Sequence, residues 1–208
     1  MGFRTIEGEG QATIEIKKSI FICHLKAIEN YDEGLAYVKS IAEEYPDARH
    51  NCYAFLTRDG GQKFSDNGEP QGTAGVPMTE VLKKKNLTDV ACVVTRYFGG
   101  IKLGTGGLIS AYSQAVSEAV EASKIVEKTE SIVRSLETEY NEYQQVVRAA
   151  ENFGACVLPP VFGQTVTIEF FYPLEKDEEW REKEKQLFSG KLRSNVTERT
   201  YKIYQIND

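Results

Sequence analysis

The sequence predicts an α+β fold in two domains, residues 1–128 and 129–208. Three observations predict it. Short alternating or continuous apolar runs of strand length are interleaved with stretches of helical period along the whole chain. A charged, glycine-free stretch at 124–130 marks a change in composition of the kind that separates domains. Finally, 208 residues, 41% hydrophobic and 27% charged, are enough for a packed core without staples.

In the first domain, residues 12–25 alternate apolar and polar side chains around a polar break at Lys17-Lys18-Ser19, which predicts two strands or one bent one. Leu35, Val38, Ile41, Ala42 and Tyr45 have helical spacing over 32–45, with Asn30 or Asp32 to cap the start and Pro46 to stop the helix. Residues 50–57 read as a strand, and 58–75, rich in turn formers, as a long loop. A short helix after Pro77 ends in Lys83-Lys84-Lys85, cations that suit the negative end of its dipole. The nearly continuous apolar run within 89–98 predicts a strand covered on both faces. A long amphipathic helix follows over 108–123, its core face formed by Leu108, Ala111, Tyr112, Ala115, Val116, Ala119 and Val120 at helical spacing.

In the second domain the order is strand 131–137, helix 139–153, strands 155–162 and 164–172, helix 175–188 and strand 196–206. This β-α-β-β-α-β order is the ferredoxin-like split unit.

A formal net charge of −6 argues against a general nucleic-acid coat protein. Cys23, Cys52, Cys92 and Cys156 are far apart, without zinc or redox spacing, which points to a reducing, cytoplasmic compartment and to neither metal nor cofactor. No apolar window approaches a membrane span, so no membrane partner is expected.

Ten of the 17 glycines fall between Gly60 and Gly107, in two clusters. In the second cluster a buried strand ends in Thr95-Arg96-Tyr97-Phe98, then Gly99, Gly100, Lys102, Gly104, Thr105, Gly106 and Gly107 lead into a helix. Free N–H groups at a helix start bind anions, and Arg96, Lys102 and Thr105 add donors. The loop is neither a Walker A sequence nor a dinucleotide fingerprint. Between Lys83 and Lys102, five basic residues oppose one acid, a local excess of four positive charges; Tyr97 and Phe98 offer stacking faces for single-stranded RNA. Helix capping and core packing explain the same residues without a ligand.

The first cluster carries Asp66, Asn67 and Glu69, which suit a hard cation or, more commonly, an Asx-type turn. His50 and Cys52, two apart on a strand, share a face and form either a nucleophilic pair or a structural one.

Residues 48–54 (ARHNCYA), 65–77 (SDNGEPQGTAGVP) and above all 95–108 (TRYFGGIKLGTGGL) resemble the IMPACT family in its bacterial YigZ-like branch. The resemblance implies a ribosomal protein S5 domain 2-like first domain and a ferredoxin-like second domain similar to those of elongation factor G. It also implies a link to translation: eukaryotic members act under amino-acid starvation through an added N-terminal RWD domain. Here the family motifs begin within the first fifty residues, so the expectation is a chain without that domain. The leading functional expectation is a non-enzymatic protein that binds RNA or a ribosomal partner through residues 96–107 and the neighbouring lysines. The alternative is an enzyme acting on a small phosphorylated or anionic ligand held between the two glycine clusters.

Overall fold

A computed structural model describes residues 2–188 and 191–204. The chain divides into two compact units, one formed by Phe3–Glu127 and the other by the described residues from Lys128 onward together with Gly2. The fold is mixed α+β with antiparallel sheets.

The first unit contains β1 (Phe3–Ile6), β2 (Glu9–Ile16), β3 (Ser19–Ala27), α1 (Tyr31–Glu44), β4 (His50–Leu56), β5 (Gln62–Ser65), α2 (Gly75–Lys84), β6 (Val90–Tyr97) and α3 (Gly104–Glu121). Five strands form an antiparallel sheet in the order β2-β3-β6-β4-β5. The polar break at Lys17-Lys18 is a tight hairpin in which both residues have positive φ, the geometry that matches strand twist. Asn30 caps α1 by accepting from Glu33 N at 2.9 Å, and the Glu33 carboxylate accepts from Glu29 N at 2.8 Å, a reciprocal cap.

β6 lies at the centre, and its residues Val90 to Arg96 are all buried, as its apolar run requires. Its side chains alternate between two cores. Val90, Cys92 and Val94 face a core shared with Met78 and Leu82 of α2 and Ala111, Tyr112 and Ala115 of α3. Ala91 and Val93 face a smaller core with Tyr37 and Ile41 of α1. This alternation decides which side chains of the 95–98 segment can meet.

The second unit's strands are β7 (Ile125–Thr138), β8 (Cys156–Val157), β9 (Val161–Phe162), β10 (Val166–Pro173) and β11 (Asn195–Ile203), with helices α4 (Tyr143–Phe153) and α5 (Asp177–Phe188). β7 is flanked by β11 and β10, and β8 and β9 both pair with the far side of β10, all antiparallel. Ile132, Phe153, Phe170, Tyr172 and Trp180 fill its core. At its edge Arg134 is buried and fully engaged, binding Asp177, Tyr172 and the Ser194 carbonyl.

The two units divide between Glu127 and Lys128, inside the 124–130 stretch. Three expectations change. The loop at 58–75 contains the edge strand β5. The strand expected at 155–162 is broken into β8 and β9 by Pro159-Pro160, which cannot donate to a ladder. The last strand ends at Ile203, and residues 205 and 206 of the expected strand lie outside the described residues.

Candidate anion-binding site

The two glycine clusters meet at one end of the first unit's sheet. His50, the first residue of β4, pairs across the ladder with Arg96 near the end of β6, and both belong to the rows that face α2 and α3. A cleft of about 440 Å³ opens there, lined among others by Arg49, His50, Glu69, Arg96, Lys102 and Thr105, with Pro70, Phe98, Leu103 and Leu108 as its apolar wall.

Arg96 is the centre of the site. Its side chain is 6% exposed and forms an ion pair through Nη1 with Glu69, itself 4% exposed. The guanidinium lies 5.3 Å from the Phe21 ring centroid and 5.7 Å from that of Phe98, within cation–π reach of both. Glu69 accepts a second bond from the Tyr112 hydroxyl at 2.9 Å. Arg96 Nε is buried and has no hydrogen-bond partner among the described residues. A buried N–H of a cation without a partner is costly, so this donor is the least settled atom of the site.

The loop that presents Glu69 is held by Asp66. Its carboxylate accepts from Gly72 N at 2.7 Å and from Ala74 and Gly75 N at 2.9 Å each, capping the start of α2. Burial alone would raise the Asp66 carboxyl, but the three backbone donors outweigh it and hold it below the usual carboxylate range. Asn67, at φ 42°, accepts His50 Nδ1–H on its carbonyl at 2.8 Å and Asn51 N on its side-chain oxygen at 2.9 Å. In the neutral imidazole this leaves His50 Nε2 as an acceptor.

On the other wall, Gly104 has φ 74° and begins α3, and its N-cap residue, Leu103, gives the helix no side-chain cap. Its first-turn N–H groups carry the positive end of an 18-residue dipole. Gly99 serves packing instead, because a Cβ there would fall on the Lys18 carbonyl; glycine is required where the 99–100 turn crosses the β2–β3 hairpin. Gly100 takes φ 85°, and Gly107 packs against Leu103. A Cβ added at Gly106 would meet nothing within 4 Å.

Several expected partners are not here. Tyr97 points to the opposite sheet face from Arg96, because neighbours on a strand alternate, and its hydroxyl donates to Asp47 at 3.0 Å. Lys83, Lys84 and Lys85 lie at the far end: Lys85 Nζ pairs with Glu121 at 3.1 Å, at the C-terminus of α3, whereas Gly104 is at its N-terminus. An 18-residue helix is about 27 Å long, so the four-charge excess is spread along the domain and forms no patch. Asp66 holds the loop, with backbone donors on both its oxygens; among the described residues no group of carboxylates, histidines and cysteines is placed to hold a metal ion. Cys52 shares its face with His50 but donates to Asp66 O at 2.9 Å, and burial pushes its thiol up to about 12, the opposite of a nucleophile's environment. Helical periodicity placed Tyr112 only in the core, and no motif gave Arg49 a role. The signal for Tyr112 was its hydroxyl on a buried helix face, which needs a partner.

The class of protein follows from this arrangement: an α+β protein whose first domain sets a buried arginine beside an uncapped helix start. The chain belongs to the IMPACT family. The family model for the Impact N-terminal domain matches residues 17–120. The chain is 49% identical over 126 residues to IMPACT family member YvyE of Bacillus subtilis (strain 168), a match covering 60% of this chain and 58% of that protein. It is 39% identical over 152 residues to an IMPACT family member of Haemophilus influenzae (strain ATCC 51907 / DSM 11121 / KW20 / Rd), covering 71% and 74% of the two chains. With IMPACT family member YigZ of Escherichia coli (strain K12) it shares 42% identity over 132 residues, 62% of this chain and 65% of that one. A solved structure described as that of an hypothetical protein superposes with a TM-score of 0.63 at 31% identity, covering 95% of this chain and 98% of the other. No helix among the described residues is long and apolar enough to cross a membrane.

Proposed function

We propose that the first domain binds a small phosphorylated or otherwise anionic ligand in the cleft between its two glycine-rich loops. The observation that carries this reading is the unpartnered Nε of buried Arg96, set beside a helix start that has no cap. Glu69 engages the guanidinium through Nη1, and the rest of the same rigid fork, in a residue that lines the cleft, keeps donor capacity that Glu69 does not use. Lys102 and Arg49 at the mouth supply steering charge.

A differential-scanning panel of nucleotides, sugar phosphates and carboxylates tests this. A ligand at one hundred times its Kd stabilises by about 2.7 kcal/mol, and Lys102→Ala should weaken the effect. A panel without a single shift sinks the proposal.

An RNA or ribosomal partner is the second reading. It is favoured by the family's link to translation and by Phe98 and Ile101 at the loop, 52% and 46% exposed, where a base can stack. Its basis is now the loop alone, since the lysines of α2 are elsewhere. Co-sedimentation with ribosomal subunits at moderate salt, abolished by Phe98→Ala, is its expected result. We place the protein in the cytoplasm, which suits four free cysteines. The strand order β11-β7-β10-β8/β9 supports a ferredoxin-like second domain, and we assign the first to the ribosomal protein S5 domain 2-like fold on family grounds.

A further inference from the structure

We infer that the anion held in this cleft is a phosphate monoester whose esterified group carries a ring and a hydroxyl, as a nucleotide does. The inference rests on the anion-cleft reading above and narrows it. Charge is the first argument. Arg49, Arg96 and Lys102 oppose Glu69 alone along the wall, leaving two positive charges and the positive end of α3. A phosphate monoester carries about −1.5 to −2 at pH 7, and a diester or carboxylate carries half as much.

Donor geometry is the second. The start of α3, the Arg96 guanidinium and Lys102 line the cleft from three separate segments, and a tetrahedral group with three terminal oxygens offers an acceptor to each. A planar carboxylate has two oxygens and leaves a donor unmet. The third argument concerns the rest of the ligand. In its neutral form His50 donates Nδ1–H to Asn67 and presents Nε2 as an acceptor, which a ligand hydroxyl beside the phosphate can use. Phe98, Pro70 and Leu103 offer flat or apolar surface beside it, suited to a ring.

Such a monoester has two sources, a free mononucleotide or the 5′-terminal phosphate of an RNA. Titration calorimetry on the full chain separates them with uridine 5′-monophosphate, an octaribonucleotide bearing a 5′-phosphate, and the same octamer ending in a 5′-hydroxyl. Phenyl phosphate, methyl phenyl phosphate and phenylacetate test the anion itself.

The expected result is binding of the monoesters at least tenfold tighter than of the diester and the carboxylate. Preference for the phosphorylated octamer identifies an RNA terminus, and preference for the mononucleotide identifies a free metabolite; either supports the monoester. Equal binding of phenylacetate and phenyl phosphate overturns the inference and leaves the anion cleft standing, whereas no binding by any probe ends both. Arg96→Lys tests the fork. Because its burial puts folding at risk, Thr105→Pro accompanies it. The exposed first-turn Thr105 N–H has no partner within the helix, so proline deletes a donor without deleting a helix bond. That variant should keep its melting temperature within a few degrees and lose tenfold or more in monoester affinity. Unchanged affinity in Thr105→Pro counts against the helix as the phosphate seat and overturns the inference.

Discussion

Glu69 and Arg96 show how a single buried pair both stabilises and prepares a site. Each charge is held away from water and is tolerated there only because the other is present. Glu69→Gln leaves the guanidinium uncompensated, and the expected cost is about 3–5 kcal/mol, read as a lower urea midpoint at unchanged m-value. Replacing both partners, Glu69→Leu with Arg96→Met, should recover more than half of that loss while abolishing ligand binding; a double variant as unstable as the single one contradicts this account. Asp66, three residues before Glu69, answers to pH. Its folded carboxyl titrates below the unfolded value of about 3.9, so its contribution is complete above that value and is lost as pH falls through the folded one. Stability should therefore decline on acidification below about pH 4, and Asp66→Asn should flatten that decline, as measured by urea unfolding at about pH 3 to 5. An unaltered pH slope in the variant would show that the cap carries no charge-dependent stability.

At the scale of elements, α3 and the turn before it contain glycines that look equivalent in the sequence and are not. Gly99→Ala forces a Cβ onto the Lys18 backbone and should destabilise severely. Gly106→Ala places a methyl in open space on a helix and should stabilise by up to about 1 kcal/mol. Thermal melts of the two variants check this contrast, and similar losses in both would refute it. The same region shows what the sequence made legible. Periodicity located α1, α3 and β6 because their faces are buried over many residues, and Tyr112 was assigned to the core by the same signal. It did not reveal β5, which spans four residues at a sheet edge and packs little. Nor could it reveal the cleft's membership: Arg96 and Tyr97 are adjacent in the chain yet lie on opposite sheet faces, and Lys85 is brought against Glu121 at the wrong end of α3. The pairing of His50 with Arg96 needs the β4–β6 register, which no local pattern encodes.

At the scale of the molecule, the two units have separate cores and, by chance of composition, separate reporters. Trp180, the one tryptophan, lies in the second core with Phe153 and Tyr172 at ring distances of 5.2 and 5.9 Å. Cys23, Cys52 and Cys92 are buried in the first unit, where burial raises all three thiols, and Cys156 in the second is exposed. Native protein should therefore show one fast-reacting thiol, and the other three should react only as the first unit opens. Phe153→Ala removes a ring from the second core and should cost about 3–5 kcal/mol, lowering the urea midpoint read by Trp180 fluorescence. Met78→Ala, in the first core, should cost about 2–5 kcal/mol and lower the midpoint read by the slow thiols. If each core folds as its own cooperative unit, each substitution moves its own reporter and leaves the other in place. Should both reporters shift together in both variants, the units unfold as one, and ligand binding in the first would then protect Trp180 as well as the thiols.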